Sequence, residues 1–274
     1  MTATDIDPAV VQMFDRNIVD FYVRARSRPW ADIKIDGDVV WGSTGLPLQA
    51  FNGAAGATFS EESADARIET VLGYFRELKL DMNWWVGPTS PAGLGERLTA
   101  HGLEFDGVAP GMAVSLDGWS APPPSDGLHI EQARDAASFH EAMDVMFEGF
   151  EMPREVQPQF EERFRGFSVG PRAHQRTYIA SIDRQPVATA LGAQLDGMVA
   201  IYNVATVPAA RRRGFGAAVT TAAMSDARAD GAGWAILETS EMGRSVYEGL
   251  GFRHVADVAI YTGTFSGAAA ASPE

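Results

Sequence analysis

The residues best suited to chemistry lie in one stretch, where a predicted strand, a basic glycine loop and a helix start follow one another. The strand ends in Val204-Ala205-Thr206, and the loop and helix start comprise Arg211, Arg212, Arg213, Gly214, Phe215, Gly216 and Ala217. A helix start offers an anion its free backbone N–H groups and the positive end of the helix dipole, and the arginines add charge. Gly214 and Gly216 lack a Cβ, so a phosphate could approach the backbone closely. The stretch therefore predicts a ligand that carries phosphate groups.

The spacing of the loop distinguishes it from two common phosphate loops. No Gly-Lys-Ser/Thr follows, as in a Walker A loop, and Val219 stands where a dinucleotide fingerprint needs its third glycine. The pattern Arg-x-x-Gly-x-Gly at 211–216 resembles the acyl-coenzyme A loop of the GNAT acetyltransferases. Tyr-Glu-Gly-Leu-Gly-Phe at 247–252 resembles the closing signature of that family. The resemblance covers residues 127–263; for the loop alone, a basic surface turn is the alternative.

Regular elements flank this loop throughout the second half of the chain. Periodic apolar positions and short turn sequences predict an antiparallel meander that leads into the loop, followed by helix, strand, helix and strand. The predicted strands span 178–182, 186–194, 198–207, 234–239 and 252–263, and the predicted helices span 136–150, 157–167, the run after the loop to 230, and 243–250.

A fainter version of the same order occurs in the first half. Helices are predicted to start at Pro8, Ser63 and Ser90, and strands are predicted at 39–41, 46–51, 83–87 and 103–116. Trp84-Trp85-Val86 stands where Trp234-Ala235-Ile236 stands later, and in each half a helix then ends at a glycine. We interpret this as an internal repeat; two unrelated strand-helix-strand segments are the alternative. The resemblance then implies an α/β (α+β) fold of two GNAT-like domains, each a mixed, mostly antiparallel twisted sheet flanked by helices.

Three consecutive prolines at 122–124 mark the best domain boundary, because such a run suits neither a helix interior nor a central strand. We expect a degenerate domain at 1–118, a linker at 119–126, a catalytic domain at 127–263 and a disordered tail at 264–274. The first-half counterpart of the loop, at 60–66, reads Ser-Glu-Glu-Ser-Ala-Asp-Ala. Its carboxylates would repel a pyrophosphate. The first half is thus predicted to be a catalytically empty copy.

The resemblance implies acetyl-coenzyme A as cosubstrate, without a metal, and assigns roles to individual residues. The backbone of 204–206 would hydrogen-bond the pantetheine arm, and the Val204 N–H would face the thioester carbonyl as an oxyanion donor. Tyr247 would be the general acid for the departing thiolate, with simple packing as its alternative. Ser240 stands where many family members have an asparagine that contacts the cofactor. Asn203 could orient the amine, although strand-edge packing also explains it.

No general base is assigned. The candidates are Glu148, Glu151, Glu238, His140 and His174, and each is more typical of a solvated surface charge or a helix-face residue than of a base. Water could also deprotonate the amine.

Composition narrows the remaining possibilities. The 274-residue chain carries a net charge of −14, which disfavours nucleic-acid binding, and it has no cysteine, so disulfides and thiolate metal ligands are excluded. We expect no membrane partner and no signal peptide, a cytoplasmic location, and a monomer or homodimer. The predicted function is acetyl transfer from coenzyme A to a primary amine of a small molecule. The alternatives are a non-catalytic acyl-coenzyme A sensor or scaffold, or an acyltransferase that acts on a protein amine.

Overall fold

The computed structural model describes residues 8–26, 28–123, 127–169, 175–195 and 197–267, and the chain divides into two compact units. The first unit comprises Met1–Gly111 and Val255–Glu274, and the second comprises Met112–His254. The predicted domain ranges instead assign residues 255–263 to the second half and 112–118 to the first. Part of the predicted linker, 124–126, lies outside the described residues.

The first unit contains a mixed sheet with the strand order β1-β2-β3-β4-β11. Strands β3 and β4 are parallel, whereas the other neighbouring pairs in this order are antiparallel. Its elements are α1 Pro8–Ala25, β1 Asp32–Ile35, β2 Val40–Ser43, β3 Asn52–Ala55, α2 Ala64–Leu78, β4 Met82–Val86, α3 Leu94–Ala100 and parts of β5 Glu104–Ser115 and β11 Arg253–Gly263.

The core of the first unit forms where α2 and α3 cover the sheet. Four apolar residues on one face of α2 are fully buried, and they pack with Trp84 of β4: Ile68, Val71, Leu72 and Phe75. On α1, Phe14 is buried, and its ring lies 2.3 Å from the point that a Cβ on Gly111 would occupy. Glycine at 111 therefore allows the close approach of this helix.

Two local predictions in the first unit are wrong. Residues 46–51 do not form a strand, and the strand begins only at Asn52. The Asn52 side chain donates to the carbonyls of Leu46 and Leu48, at 2.8 and 3.1 Å, and so holds this segment as a loop. The helix predicted to start at Ser90 begins only at Leu94, and Gly93 stands at its N-cap position.

The second unit contains the strand order β5-β10-β9-β8-β7-β6, in which β9 and β10 are parallel and β6 to β9 form an antiparallel meander. Helices α4 and α6 both pack on β8 and β9. The elements are β6 His129–Gln132, α4 Ala136–Gly149, α5 Gln157–Ser168, β7 Gln175–Ile182, β8 Gln185–Leu195, β9 Met198–Thr206, α6 Phe215–Ala229, β10 Trp234–Glu238 and α7 Glu241–Gly249.

The predicted fold class is confirmed. In each unit a strand, a helix and a parallel strand follow one another, as β3-α2-β4 in the first and β9-α6-β10 in the second. Trp84 and Trp234 both lie in the strand that follows the helix, as the internal repeat predicts.

Gly53 in β3 provides a test of the packing in the first unit. A Cβ at this position would lie 2.0 Å from the Asn83 carbonyl oxygen and 2.6 Å from the Trp85 ring. We expect Gly53→Ala to lower the free energy of unfolding by about 3 kcal/mol, because overpacking strains the backbone. The control is Gly73→Ala in α2, where a Cβ would meet no atom within 4 Å. It should raise stability by about 0.5–1 kcal/mol, the gain of alanine over glycine in a helix. Denaturant unfolding measures both, and equal effects would contradict the packing account.

Candidate active site

The site is organised around the place where two parallel strands separate. Strands β9 and β10 pair from Met198 and Trp234 as far as Ile201 and Leu237, and the register contains no pair beyond that point. β9 nevertheless continues for five residues, to Thr206, with β8 on its other side. Among the residues that the structure describes, one edge of β9 therefore has no neighbouring strand here, and such an edge can accept an extended ligand by backbone hydrogen bonding.

A β-bulge begins at the point of separation. The register with β8 moves from Thr189–Ala205 to Leu191–Tyr202, so that two residues of β9, Asn203 and Val204, oppose one residue of β8. Asn203 has a left-handed backbone with φ 51°, which asparagine tolerates better than most residues. A bulge leaves one residue outside the ladder and bends its strand.

The bulge also changes which side chains face α6. Before it, Val199 and Ile201 pack in the cluster that contains Ala223 and Met224 of that helix. After it, a Cβ on Gly216 of α6 would lie 3.5 Å from side-chain atoms of both Val204 and Thr206. Side chains alternate along a strand, so the extra residue has moved the even-numbered positions onto the α6 face.

The start of α6 has the features of an anion site. Gly214 precedes the helix with φ 82°, and no side chain caps the first turn. The N–H groups of Phe215, Gly216 and Ala217 lie in this first turn, where no preceding turn supplies acceptors. A Cβ at Gly214 would meet nothing within 4 Å, so the space beside it is open. These residues fit a phosphate group, which needs donors and a close approach to the backbone.

The three arginines of the loop have different environments. Arg211 donates through Nη2 to the Gly149 carbonyl at 2.8 Å and through Nε to the Thr206 carbonyl at 3.4 Å. Arg212 is exposed and has a left-handed φ of 64°. The Arg213 guanidinium lies over the Phe215 ring, with its carbon 4.7 Å from the ring centroid. Arg212 and Arg213 therefore present charge at the surface, whereas the Arg211 side chain contacts the protein itself.

Tyr247 lies on α7 and packs, half-buried, against the same cluster as Val204 and Ala217. Its ring meets Phe252 edge to face with 5.9 Å between centroids. Burial raises the pKa of Tyr247 to about 12, so the phenol stays protonated at neutral pH. Ser240 is the N-cap of α7, since its hydroxyl accepts from the Gly243 N–H at 3.2 Å.

The candidate bases lie in different parts of the second unit. His140 is held on the surface by Glu161 at 2.8 Å, and this hydrogen bond raises the pKa of His140. Glu148 and Glu151 are exposed and belong to the end of α4. Glu238 follows Leu237, the last residue of β10 that pairs with β9, and so lies where the strands separate. His174 lies outside the described residues.

The sequence analysis predicted neither the bulge nor the close contact between Gly149 and β9. Asn203 in an otherwise apolar, β-branched strand was the available signal, because asparagine is rare in strands and common at left-handed positions. No sequence signal marks Gly149 in the same way, because its contact with β9 joins two elements that are distant in the sequence.

The corresponding corner of the first unit is acidic, as predicted. Glu61 and Asp65 at the start of α2 accept from Arg97 of α3, at 3.2 and 3.1 Å, and His101 lies 3.3 Å from Asp65. Hydrogen bonds from Arg97 and His101 lower the pKa of Asp65. The Asp65 carboxylate is therefore charged at neutral pH, and the Arg97 guanidinium already pairs with both Glu61 and Asp65.

Comparison with known proteins agrees with this geometry. Residues 124–236 match the family described as acetyltransferase (GNAT) domain, and this match supports an acyltransferase. A search of curated proteins returned no match.

Solved structures share the fold over nearly the whole chain. A GCN5-related N-acetyltransferase from Kribbella flavida is 20% identical with a TM-score of 0.73, covering 92% of this chain and 94% of its own. One from Sphaerobacter thermophilus is 13% identical with a TM-score of 0.63, covering 95% and 94%. A tandem GNAT protein from the clavulanic acid biosynthesis pathway, solved without acetyl-coenzyme A, is 13% identical with a TM-score of 0.61, covering 98% of each chain.

Among the described residues, no helix has the length and apolar character needed to span a membrane. Within the same ranges, no cluster of three or more histidine or acidic side chains could bind a metal ion.

The raised pKa of Tyr247 gives a direct prediction. Exposed tyrosines ionise near pH 10. Because burial raises the pKa of Tyr247 to about 12, the Tyr247 phenolate should contribute almost no absorbance below about pH 11. The measurement is an ultraviolet pH titration of the protein, and the difference between wild type and Tyr247→Phe isolates this residue. A difference that titrates at the ordinary tyrosine value would mean that Tyr247 is not shielded from water.

Proposed function

We propose that the second unit binds acetyl-coenzyme A and transfers its acetyl group directly to a primary amine of a small molecule. The observation that carries the proposal is the combination of the open β9 edge with the uncapped start of α6 directly after it in the chain. The match of residues 124–236 to the acetyltransferase (GNAT) family supports acyl transfer, and the finer assignment of donor and acceptor is ours.

In this proposal the cosubstrate supplies the activated acyl thioester, and the protein binds it along β9. The N–H groups of Phe215, Gly216 and Ala217 and the charges of Arg212 and Arg213 would bind the phosphates. Arg211 and Gly214 shape the loop between strand and helix. The backbone of Val204, Ala205 and Thr206 would pair with the pantetheine arm as an added strand. Ser240 would act by starting α7, which carries Tyr247, and its own contact with the cosubstrate stays a prediction.

The bulge suits the Val204 N–H to the role of oxyanion donor. A regular strand commits its backbone groups to neighbouring strands, whereas a bulge removes one residue from the ladder. A fixed N–H at this point could stabilise the negative charge that develops on the acyl oxygen.

Tyr247 would donate to the sulfur as the carbon–sulfur bond breaks. A phenol with a pKa of about 12 is fully protonated at neutral pH. An ordinary thiol has a pKa of about 8.5, so complete proton transfer to the thiolate is uphill. We therefore infer that Tyr247 acts mainly by a hydrogen bond to the developing charge. Glu238 has the most suitable position among the bases considered, because it lies where β9 and β10 separate.

Thiol release from acetyl-coenzyme A in the presence of a panel of amines tests the proposal. We expect acceptor-dependent release by wild type and a kcat about 10²–10³-fold lower for Tyr247→Phe, the usual effect of one lost oxyanion-type donor. The ring is retained, so packing and the Michaelis constant for acetyl-coenzyme A should change little.

The alternatives give different results in the same experiment. Coenzyme A binding without release on any amine would favour the non-catalytic sensor or scaffold. Release that requires a protein rather than a small amine would favour the protein acyltransferase. Full activity of Tyr247→Phe would remove the hydroxyl from the mechanism.

A further inference from the structure

The C-terminal end of α4 is shaped in an unusual way. The Glu151 N–H donates to the Glu148 carbonyl at 3.2 Å and the Met152 N–H to the Phe147 carbonyl at 2.8 Å, which is a Schellman motif. The residue at its left-handed position is normally glycine, yet here it is Glu151 with φ 54°. A strained residue persists only where its surroundings hold it, so this turn has a reason to be fixed.

Gly149 allows this turn to pack closely against β9, the strand proposed to bind the cosubstrate. A Cβ at this position would lie 2.9 Å from the Ala205 Cβ, 3.2 Å from the Thr206 oxygen and 3.3 Å from the Thr206 nitrogen. Contacts below 3.0 Å between such atoms force one of them to move. The turn therefore approaches the end of β9 as closely as a glycine permits.

Arg211 joins this turn to the loop after β9. Its guanidinium donates to the carbonyls of Gly149 and Thr206, and its Nη2 lies 3.9 Å from a Glu151 carboxylate oxygen. The Gly149 carbonyl belongs to the last turn of α4, where the helix dipole favours a cation. One side chain thus connects the end of a helix on one face of the sheet with the end of the strand that enters the loop.

The loop itself needs such support. Arg212, the next residue, holds a left-handed φ of 64° although it is not glycine, and Gly214 holds another at 82°. For Arg212 this conformation costs energy in a free chain, whereas glycine adopts it readily. The side chain anchored directly before them can keep the loop in place.

We propose that Arg211 is a positioning residue. Its side chain connects the end of α4 to the end of β9, and it holds the 207–214 loop in an anion-binding conformation before a ligand binds. The inference rests on the proposed coenzyme A site, because that is the ligand the prepared loop would serve. This positioning role of Arg211 differs from a direct phosphate contact, because the positioning role requires a guanidinium. A lysine keeps the charge but cannot donate in the planar fork that reaches two carbonyls.

The test combines hydrogen exchange of the full, ligand-free chain with calorimetric titration of coenzyme A. We expect Arg211→Lys and Arg211→Gln to exchange faster than wild type in segments 148–153 and 207–216. Both should bind coenzyme A about tenfold more weakly, the scale of one lost charge-assisted hydrogen bond. An Arg211→Lys variant that matches wild type in exchange and affinity would overturn the proposal.

Arg212 is the matched control, since it has the same charge and lies in the same loop. Because Arg212 belongs to the proposed phosphate site, Arg212→Lys and Arg212→Gln should both weaken coenzyme A binding, and Arg212→Gln should also reduce its salt dependence. Neither should alter exchange in 148–153. If Arg212→Gln loosens that segment as much as Arg211→Gln does, Arg211 has no special role.

Gly149→Ala tests the same contact without changing any charge. Its methyl group should push the turn away from Ala205, raise exchange in both segments and weaken coenzyme A binding; unchanged exchange and affinity would count against the proposal. If wild type itself fails to bind coenzyme A, the proposed function is wrong. The exchange comparisons would still decide whether Arg211 fastens the turn.

Discussion

The separation of β9 from β10 after the Ile201–Leu237 pair is the constraint on which the rest of the second unit depends. Backbone N–H and C=O groups need partners, and an unpaired strand edge is normally covered or disrupted. Here the bulge at Asn203 and Val204 disrupts the ladder, and the loop after Thr206 leads directly into an uncapped helix start. An extended ligand with an anionic end satisfies both features, because it can pair with the edge and extend its charge to the helix.

The two units show how side-chain charge specialises one arrangement. Both contain a parallel strand-helix-strand segment, but the first unit has Glu61 and Asp65 at its helix start, where both pair with Arg97 and Asp65 also lies beside His101. The second has exposed arginines and glycines at the same place. The backbone therefore forms the same strand-helix-strand arrangement in both units. Carboxylates occupy the helix start in the first unit, whereas the side chains of the second unit leave it available to an anion.

Much of this could be predicted from the sequence, and the exceptions have physical causes. The loop, the helices and the meander follow from local signals, namely glycine and arginine spacing and apolar periodicity. The prediction of a strand at 46–51 is wrong, because hydrogen bonds from the Asn52 side chain hold this segment as a loop. The periodicity of apolar residues does not reveal such bonds. Ser240 and Arg211 were predicted as ligand contacts; in the structure their side chains contact the protein's own backbone, and the ligand contacts stay predictions. The bulge and the approach of Gly149 depend on contacts between elements distant in sequence.

Titration of the full chain with coenzyme A in a calorimeter tests the central claim most directly. The account predicts one site per chain, retained in Gly73→Ala and lost in Gly216→Val, whose side chain would fill the space beside Val204 and Thr206. Two equivalent sites, no site, or normal binding by Gly216→Val would contradict it.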